Sequence, residues 1–541
     1  MYSFGKFLYV LGIVYAFIIY PVINRLLGEY GSITDLFICV IFSITSIVLF
    51  FRLKIITLNK IDVLFILFNI WLLVRIFTSS VPTEISSVFI VLLSVLIYLC
   101  VRISPFDCYI SHILFVGGCV QAFIGILQSN DLFQQYNLFF KVCGSFNNPA
   151  LWGLYLAISF LSGYALLLKH KNCLLHISPF IILILYALYL SQSRTAWLAV
   201  ICGIIYLHKL YKKKIFITIS LLFLLYLLYI QRPESVIGRL YIYVVSLDIF
   251  NSSPLFGHGV GSFKSLYMPA QAEWLMKNQN SNFAFIADDN IFTFNELLHI
   301  GCETGIIGIG LFISVILYCM ILRNKSHNEK FYISILILLT TFSMFSYPFN
   351  ELLFIIIFSV IVALISNDYY KPIVVINVRK HSYVYIVLFC LLALCVAAKY
   401  TRRYYIIERT LHYSAPGIKN NAIYIGIKGE RLFNMGKYID AIPLLEKSNK
   451  LIPNSKILNI LGVCYRIKGN YDIAEKTFIQ SSEMVPSRIL PRYNLFKLYL
   501  QQKNYDKAKK SAFDILNMKV KVVNSTVIRI RNEIKEFSKN I

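Results

Sequence analysis

For its first four hundred residues the chain alternates between long apolar runs and short polar breaks. Runs of about 17–25 apolar residues are long enough to span a bilayer as helices. They fall near 5–24, 33–51, 61–79, 85–101, 112–127, 149–167, 176–191, 194–210 and 214–230, and then near 296–322, 331–347, 350–366 and 383–399. The pattern predicts an all-α fold: a polytopic transmembrane bundle of about 12–13 spans over residues 1–399, with a long polar and aromatic loop at 231–295. Past Lys399 the chain turns amphipathic and Lys-rich, which predicts a soluble helical domain over 400–541.

Composition agrees with the bundle. The chain is 58% hydrophobic and only 15% charged, where a soluble protein carries roughly a quarter charged residues. The 52 basic against 27 acidic residues raise the question of nucleic acid. The Lys and Arg residues lie in short clusters between apolar runs, so no nucleic-acid partner is expected. Cysteines such as Cys39, Cys119, Cys202, Cys319 and Cys390 sit inside apolar runs and form no CxxC pair, so neither a metal nor another cofactor is expected. The run from Phe7 to Tyr20 is followed by Pro21 and Arg25 and reads as a retained first helix. With the N-terminus inside, the inner loops hold most of the Lys and Arg, and the short outer loops hold only Arg25, Arg75, Lys141 and Arg194. This bias puts Arg194, the 231–295 loop and the start of the 296–322 helix on the outer face. An odd number of spans puts residues 400–541 there as well.

The polar residues within this apolar chain are the ones to question. In FNELLHIGCETGIIG (294–308), helical spacing sets Asn295, His299 and Cys302 on one stripe and Glu296, His299 and Glu303 on the next. Ionisable groups in a membrane helix are expensive unless they face protein or a cavity. The plainer reading is that Asn295 and Glu296 cap the helix. Arg194, in LSQSRTAWLAV, is either an interfacial anchor or a fork for an oxyanion. Arg239 is a second outer arginine, ahead of an amphipathic segment. GHGVGSF (257–263) reads as a flexible turn and lacks the GKS/T of a phosphate loop, and His258 within it reads as a turn residue. Asp288 and Asp289 stand just upstream of the polar stripe.

Four blocks taken together carry a resemblance: GSFNNPALWGLYLA (144–157), SQSRTAWLA (191–199), GRLYIYVVSLDIFNSSPLFGHGVGSF (238–263) and FNELLHIGCETGIIG (294–308). In this order they resemble the O-antigen ligase and polymerase superfamily over roughly residues 100–330. The resemblance implies a GT-C-type membrane glycosyltransferase that uses a polyprenyl-diphosphate-linked glycan at the outer face of the bacterial inner membrane, without a nucleotide sugar or required metal. It further implies that Arg194 and Arg239 hold the donor diphosphate. The family's motif histidine falls on Phe294 here. Base work therefore passes to Glu296 or His299, with Asn295 orienting and His258, Asp288 and Asp289 as possible loop contributors. The C-terminal region holds two copies at a period of 33, with Gly429, Gly436, Tyr438, Ala441 and Pro453 recurring as Gly462, Gly469, Tyr471, Ala474 and Pro486. The second copy resembles a tetratricopeptide repeat, and a weaker third follows around Leu495, Tyr499, Tyr505 and Ala508.

The expectation is a ligase that moves a glycan to a hydroxyl acceptor: a lipid A core, another surface lipid or a protein. The alternative within the same superfamily is a repeat-unit polymerase, and the alternative of another class is a transporter of the lipid-linked glycan. The repeat-like domain favours a protein contact.

Overall fold

The computed structural model describes residues 2–26, 31–82, 84–104, 109–133, 140–170, 172, 174–208, 233–278, 281–321, 327–367, 372–378, 382–409 and 422–539. Each apolar run predicted as a span is helical there, except 214–230, which lies outside the described residues. The protein is an all-α multi-pass membrane bundle. Among the described residues seven helices are long and apolar enough to cross a membrane, and three further apolar helices are shorter. The sole strand pair among them is Ile55–Leu58 against Val374–Asn377, antiparallel, at one end of the bundle.

Two local conflicts in the sequence are resolved by packing. Pro21 has no N–H for the carbonyl of Phe17, and the chain runs as a π-helical turn over Tyr15–Ile19. The Tyr155 hydroxyl donates to that freed carbonyl from another helix. At the strand-pair end, Asp62 is fully buried and accepts from Tyr98 Oη (2.5 Å), Ser366 Oγ (2.8 Å) and Arg102 Nε (3.0 Å). A buried carboxylate is tolerated when it is paired and its remaining lone pairs are used. This cluster ties three helices and the strand pair together.

Residues 422–539 form three helix pairs, Ala422–Asn434 with Tyr438–Leu451, Ser455–Lys468 with Tyr471–Met484 and Ile489–Gln501 with Tyr505–Asn517, closed by Ser525–Lys539. The repeated small residues let paired helices approach: a Cβ on Gly429 would meet Leu445 at 2.8 Å, and one on Gly462 would strike the Phe478 ring. The stack docks on the 233–289 segment. Leu458, Met484 and Val485 join an apolar cluster with Tyr241, Tyr267 and Met268, and Gln271 Nε2 donates to the Met484 carbonyl at 2.7 Å.

Candidate functional site

The polar residues of interest gather at the end of the bundle opposite the strand pair, on two neighbouring cavities. The first, of about 530 Å³, is lined by both Arg194 and Arg239, with Asn148, Gln192, Ser193 and Tyr243 around them. Forty-five positions apart in the chain, the two arginines are brought to one cavity by tightly specified local structure.

Arg194 opens the Arg194–Leu207 helix directly after a turn at 191–193. Ser193 caps that helix, and Ser191 Oγ donates to the Leu188 carbonyl at 2.6 Å, closing the preceding one. Gly153 packs against the turn, where an added Cβ would meet Ser193 Cβ at 2.7 Å. Small residues on both sides of this contact explain the serines of SQSR and the glycine of NPALWG. The 143–148 loop is held just as firmly. Gln128 accepts from Gly144 N (2.8 Å) and Cys143 N (3.2 Å), Gln121 accepts from Ser145 N (3.1 Å), and Asn148 then caps Pro149–Lys169. Asn148 Nδ2 reaches Tyr347 Oη at 2.8 Å.

Arg239 lies on the Pro233–Ser252 helix. Its guanidinium sits 5.5 Å from the centroid of the Phe294 ring. Burial pulls its pKa down from the usual arginine value, with Tyr243 and Tyr347 partly opposing the shift. A desolvated guanidinium gains more from an incoming anion than a hydrated one does. Gln192, which lines this cavity, and Phe294, beside Arg239, hold positive φ without being glycine, at 49° and 52°. Such backbone is uncommon for bulky residues and concentrates at functional sites.

The second cavity, of about 500 Å³, is lined by Glu296, His299 and Glu303, together with Asp35, Glu84, Glu351 and Lys264. Glu296 is 3% exposed and accepts from Phe349 N at 2.9 Å. His299 Nε2 lies 3.6 Å from Glu303 Oε2. The wall between the cavities is built from 292–296 and 344–349. Phe292 stacks on Tyr347 with centroids 4.0 Å apart, Phe294 meets Tyr347 edge-on, and Tyr243 Oη lies 3.0 Å from the Phe294 carbonyl.

The arginines share one cavity, and Glu296 with His299 shares the other. Asn295 lines neither. Its Oδ1 accepts from Leu298 N at 3.0 Å as a helix cap, and its Nδ2 donates to the Met344 carbonyl at 3.2 Å. Cys302 turns away, its Sγ 3.2 Å from the Ser246 carbonyl. His258 Nε2 donates to the Ile249 carbonyl at 3.0 Å, at the end of the Pro233–Ser252 helix. Asp288 and Asp289 face the helix-pair stack: Arg488 Nη2 is 2.7 Å from Asp288, Arg488 Nη1 is 2.5 Å from Asp289, and Lys521 is 3.2 Å from Asp288.

GHGVGSF is pinned down, where the sequence suggested a flexible turn. The Glu296–Ile321 helix breaks at Gly305, at φ 70° and ψ −171°. The groups freed by the break bond to the turn: Ile306 N donates to Pro254 O (2.8 Å), and His258 N and Gly259 N donate to Cys302 O (2.9 Å) and Glu303 O (2.8 Å). Arg75 Nη2 adds a bond to the Gly257 carbonyl at 3.0 Å. Inside a membrane a broken helix survives only when its freed backbone is satisfied in this way. The glycines at 257, 259 and 305 are needed by positive φ and by backbone approaching backbone.

Sequence reasoning missed Asn148, Gln192 and Tyr243, although all three lie in the quoted motifs. It also missed Asp35, Glu84 and Glu351, each at the start of an apolar helix far away in the chain. Among the described residues no group of three or more His, Cys, Asp or Glu side chains is arranged to hold a metal ion. No curated protein matches the chain. Residues 179–313 match the family described as O-antigen ligase, a stretch that carries both arginines, the 254–259 turn and the broken helix up to Phe312 and Ile313.

Proposed function

We propose that the protein is a membrane glycosyltransferase of the O-antigen ligase type, which transfers a glycan from a polyprenyl-diphosphate carrier to a hydroxyl acceptor at the outer face of a bacterial inner membrane. The observation that carries this reading is the convergence of Arg194 and Arg239 on one cavity. In the reaction the acceptor oxygen bonds to the anomeric carbon and the bond from that carbon to the phosphate oxygen breaks. The electron pair leaves with the diphosphate, and the acceptor proton passes to a base. Two guanidinium groups suit the leaving diphosphate because they stay charged and bind oxyanions through paired N–H donors. Glu296 or His299, across the shared wall, is the base in this reading. Contact between the repeat-like stack and the 233–289 segment supports one side of the membrane for both.

The reading is tested by deleting the gene and analysing surface glycans and carrier lipid. A ligase defect leaves full-length chains on the carrier. Acceptor bearing a single repeat identifies a polymerase instead. Loss of surface glycan with the carrier-linked glycan retained on the inner leaflet overturns the enzyme reading in favour of a transporter.

A further inference from the structure

The carboxylate cavity differs from its neighbour in every respect that selects a ligand. Asp35, Glu84, Glu296, Glu303 and Glu351 line it against Lys264 and His299. Acidic residues in a cluster are not in themselves a site, but two buried atoms here lack partners. Asp35 is 6% exposed; the Tyr20 and Tyr400 hydroxyls both donate to its carboxylate, Tyr400 Oη to Oδ2 at 3.0 Å, and Oδ1 is left without a hydrogen-bond partner among the described residues. His299 Nδ1 is likewise unpartnered. Nε2 faces the Glu303 carboxylate, so Nδ1 is the ring nitrogen left for a ligand. Leaving a buried acceptor unmet is unfavourable, so the cavity calls for a ligand rich in hydrogen-bond donors.

We infer that this cavity is the acceptor subsite and takes the hydroxyl-rich, diphosphate-free sugar end of a glycan or glycolipid. The inference rests on the transferase reading above. An ionised carboxylate only accepts hydrogen bonds, and each can take several hydroxyl donors. The same set repels a diphosphate, which keeps the donor's phosphates on the arginine side. Phe89, Phe349 and Tyr400 supply rings against which the apolar face of a sugar packs. A volume of about 500 Å³ suits one or two sugar units and not a folded protein loop. Glu296, on the shared wall, then faces the ligand that must lose a proton.

The test uses the full chain in membranes of cells that make the glycan, with the photocrosslinker benzoylphenylalanine at Leu72 in the carboxylate cavity or at Leu240 in the arginine cavity. Adducts are identified by mass spectrometry. The Leu240 probe is expected to capture a diphosphate-bearing glycan lipid, and the Leu72 probe a saccharide or glycolipid free of diphosphate. Asp35→Asn should lower the Leu72 adduct at least tenfold and leave the Leu240 adduct intact. If Asp35→Asn does not insert, Glu84→Gln in the same cavity provides the same comparison. Only phospholipid chains, a peptide, the diphosphate donor or nothing at Leu72, with a normal Leu240 adduct, overturns the acceptor subsite alone. Absence of the diphosphate adduct at Leu240 overturns the transferase reading beneath it.

Discussion

Two arginines at opposite ends of the bundle show how differently one side chain is used. Arg102 meets the fully buried Asp62 at 3.0 Å, and Tyr98 and Ser366 take up the carboxylate's remaining capacity. Arg239 faces the Phe294 ring, flanked by Tyr243 and Tyr347, beside an open volume of about 530 Å³. The first charge is satisfied within the protein and has nothing left to offer a ligand. The second is desolvated, with its positive potential directed at a cavity. Buried charge that is internally paired holds structure, and buried charge left facing space is poised to bind.

The sharpest way to break that contrast is at the paired end. Arg102→Ala leaves Asp62 buried and uncompensated, and is expected to destabilise the protein by about 3–5 kcal/mol. Thermal unfolding in detergent measures this, and the molecules that do insert should transfer glycan at the normal rate. The reverse pattern is expected at the cavity. Arg194→Ala and Arg239→Ala should each lower transfer roughly a hundredfold or more with unfolding unchanged. Arg239→Lys should recover only part of the loss, since a point charge cannot replace the planar fork. Full transfer by either alanine variant would remove the diphosphate role.

Gly305→Ala tests the broken helix that lines the carboxylate cavity and holds the 254–259 turn. Positive φ and contact with the Leu255 carbonyl predict a strain of about 1–3 kcal/mol. It should show as a lower unfolding temperature together with reduced transfer. The smallest effect belongs to the docked stack. Arg488→Ala removes two partly exposed pairs, to Asp288 and Asp289, each worth less than about 1 kcal/mol after solvent screening. It should raise protease access to residues 233–289 without abolishing transfer.

The Asp288 contact also carries a pH signature. Burial raises the Asp288 pKa, but Arg488 and Lys521 outweigh it and hold the carboxyl below its usual value. A depressed folded pKa gives stabilisation that is fully present above the ordinary aspartate pKa of about 3.9 and is lost as pH falls through the folded value. Limited proteolysis should therefore find residues 233–289 fully protected at neutral pH, with protection weakened only below about pH 4 and by no more than Arg488→Ala weakens it.

The order of helices was legible from apolar run length alone, because a bilayer imposes one length on every span and excludes unpaired backbone. Arg194 and Arg239 were legible too, since a charge in or beside such runs needs a reason to be there. Local pattern also found the helix pairs after residue 422, because each close approach needs a small residue at a fixed offset. What it could not supply was partnership across the chain. Only the tertiary structure put Arg194 and Arg239 on one cavity and Glu296 and His299 on the next. It alone gave Asp288 and Asp289 to Arg488, and joined Asp35 to Glu351 across more than three hundred residues. The physical reason is that spacing fixes which face of a helix a residue occupies, while the neighbour of that face is chosen by packing among many helices of nearly equal hydrophobicity.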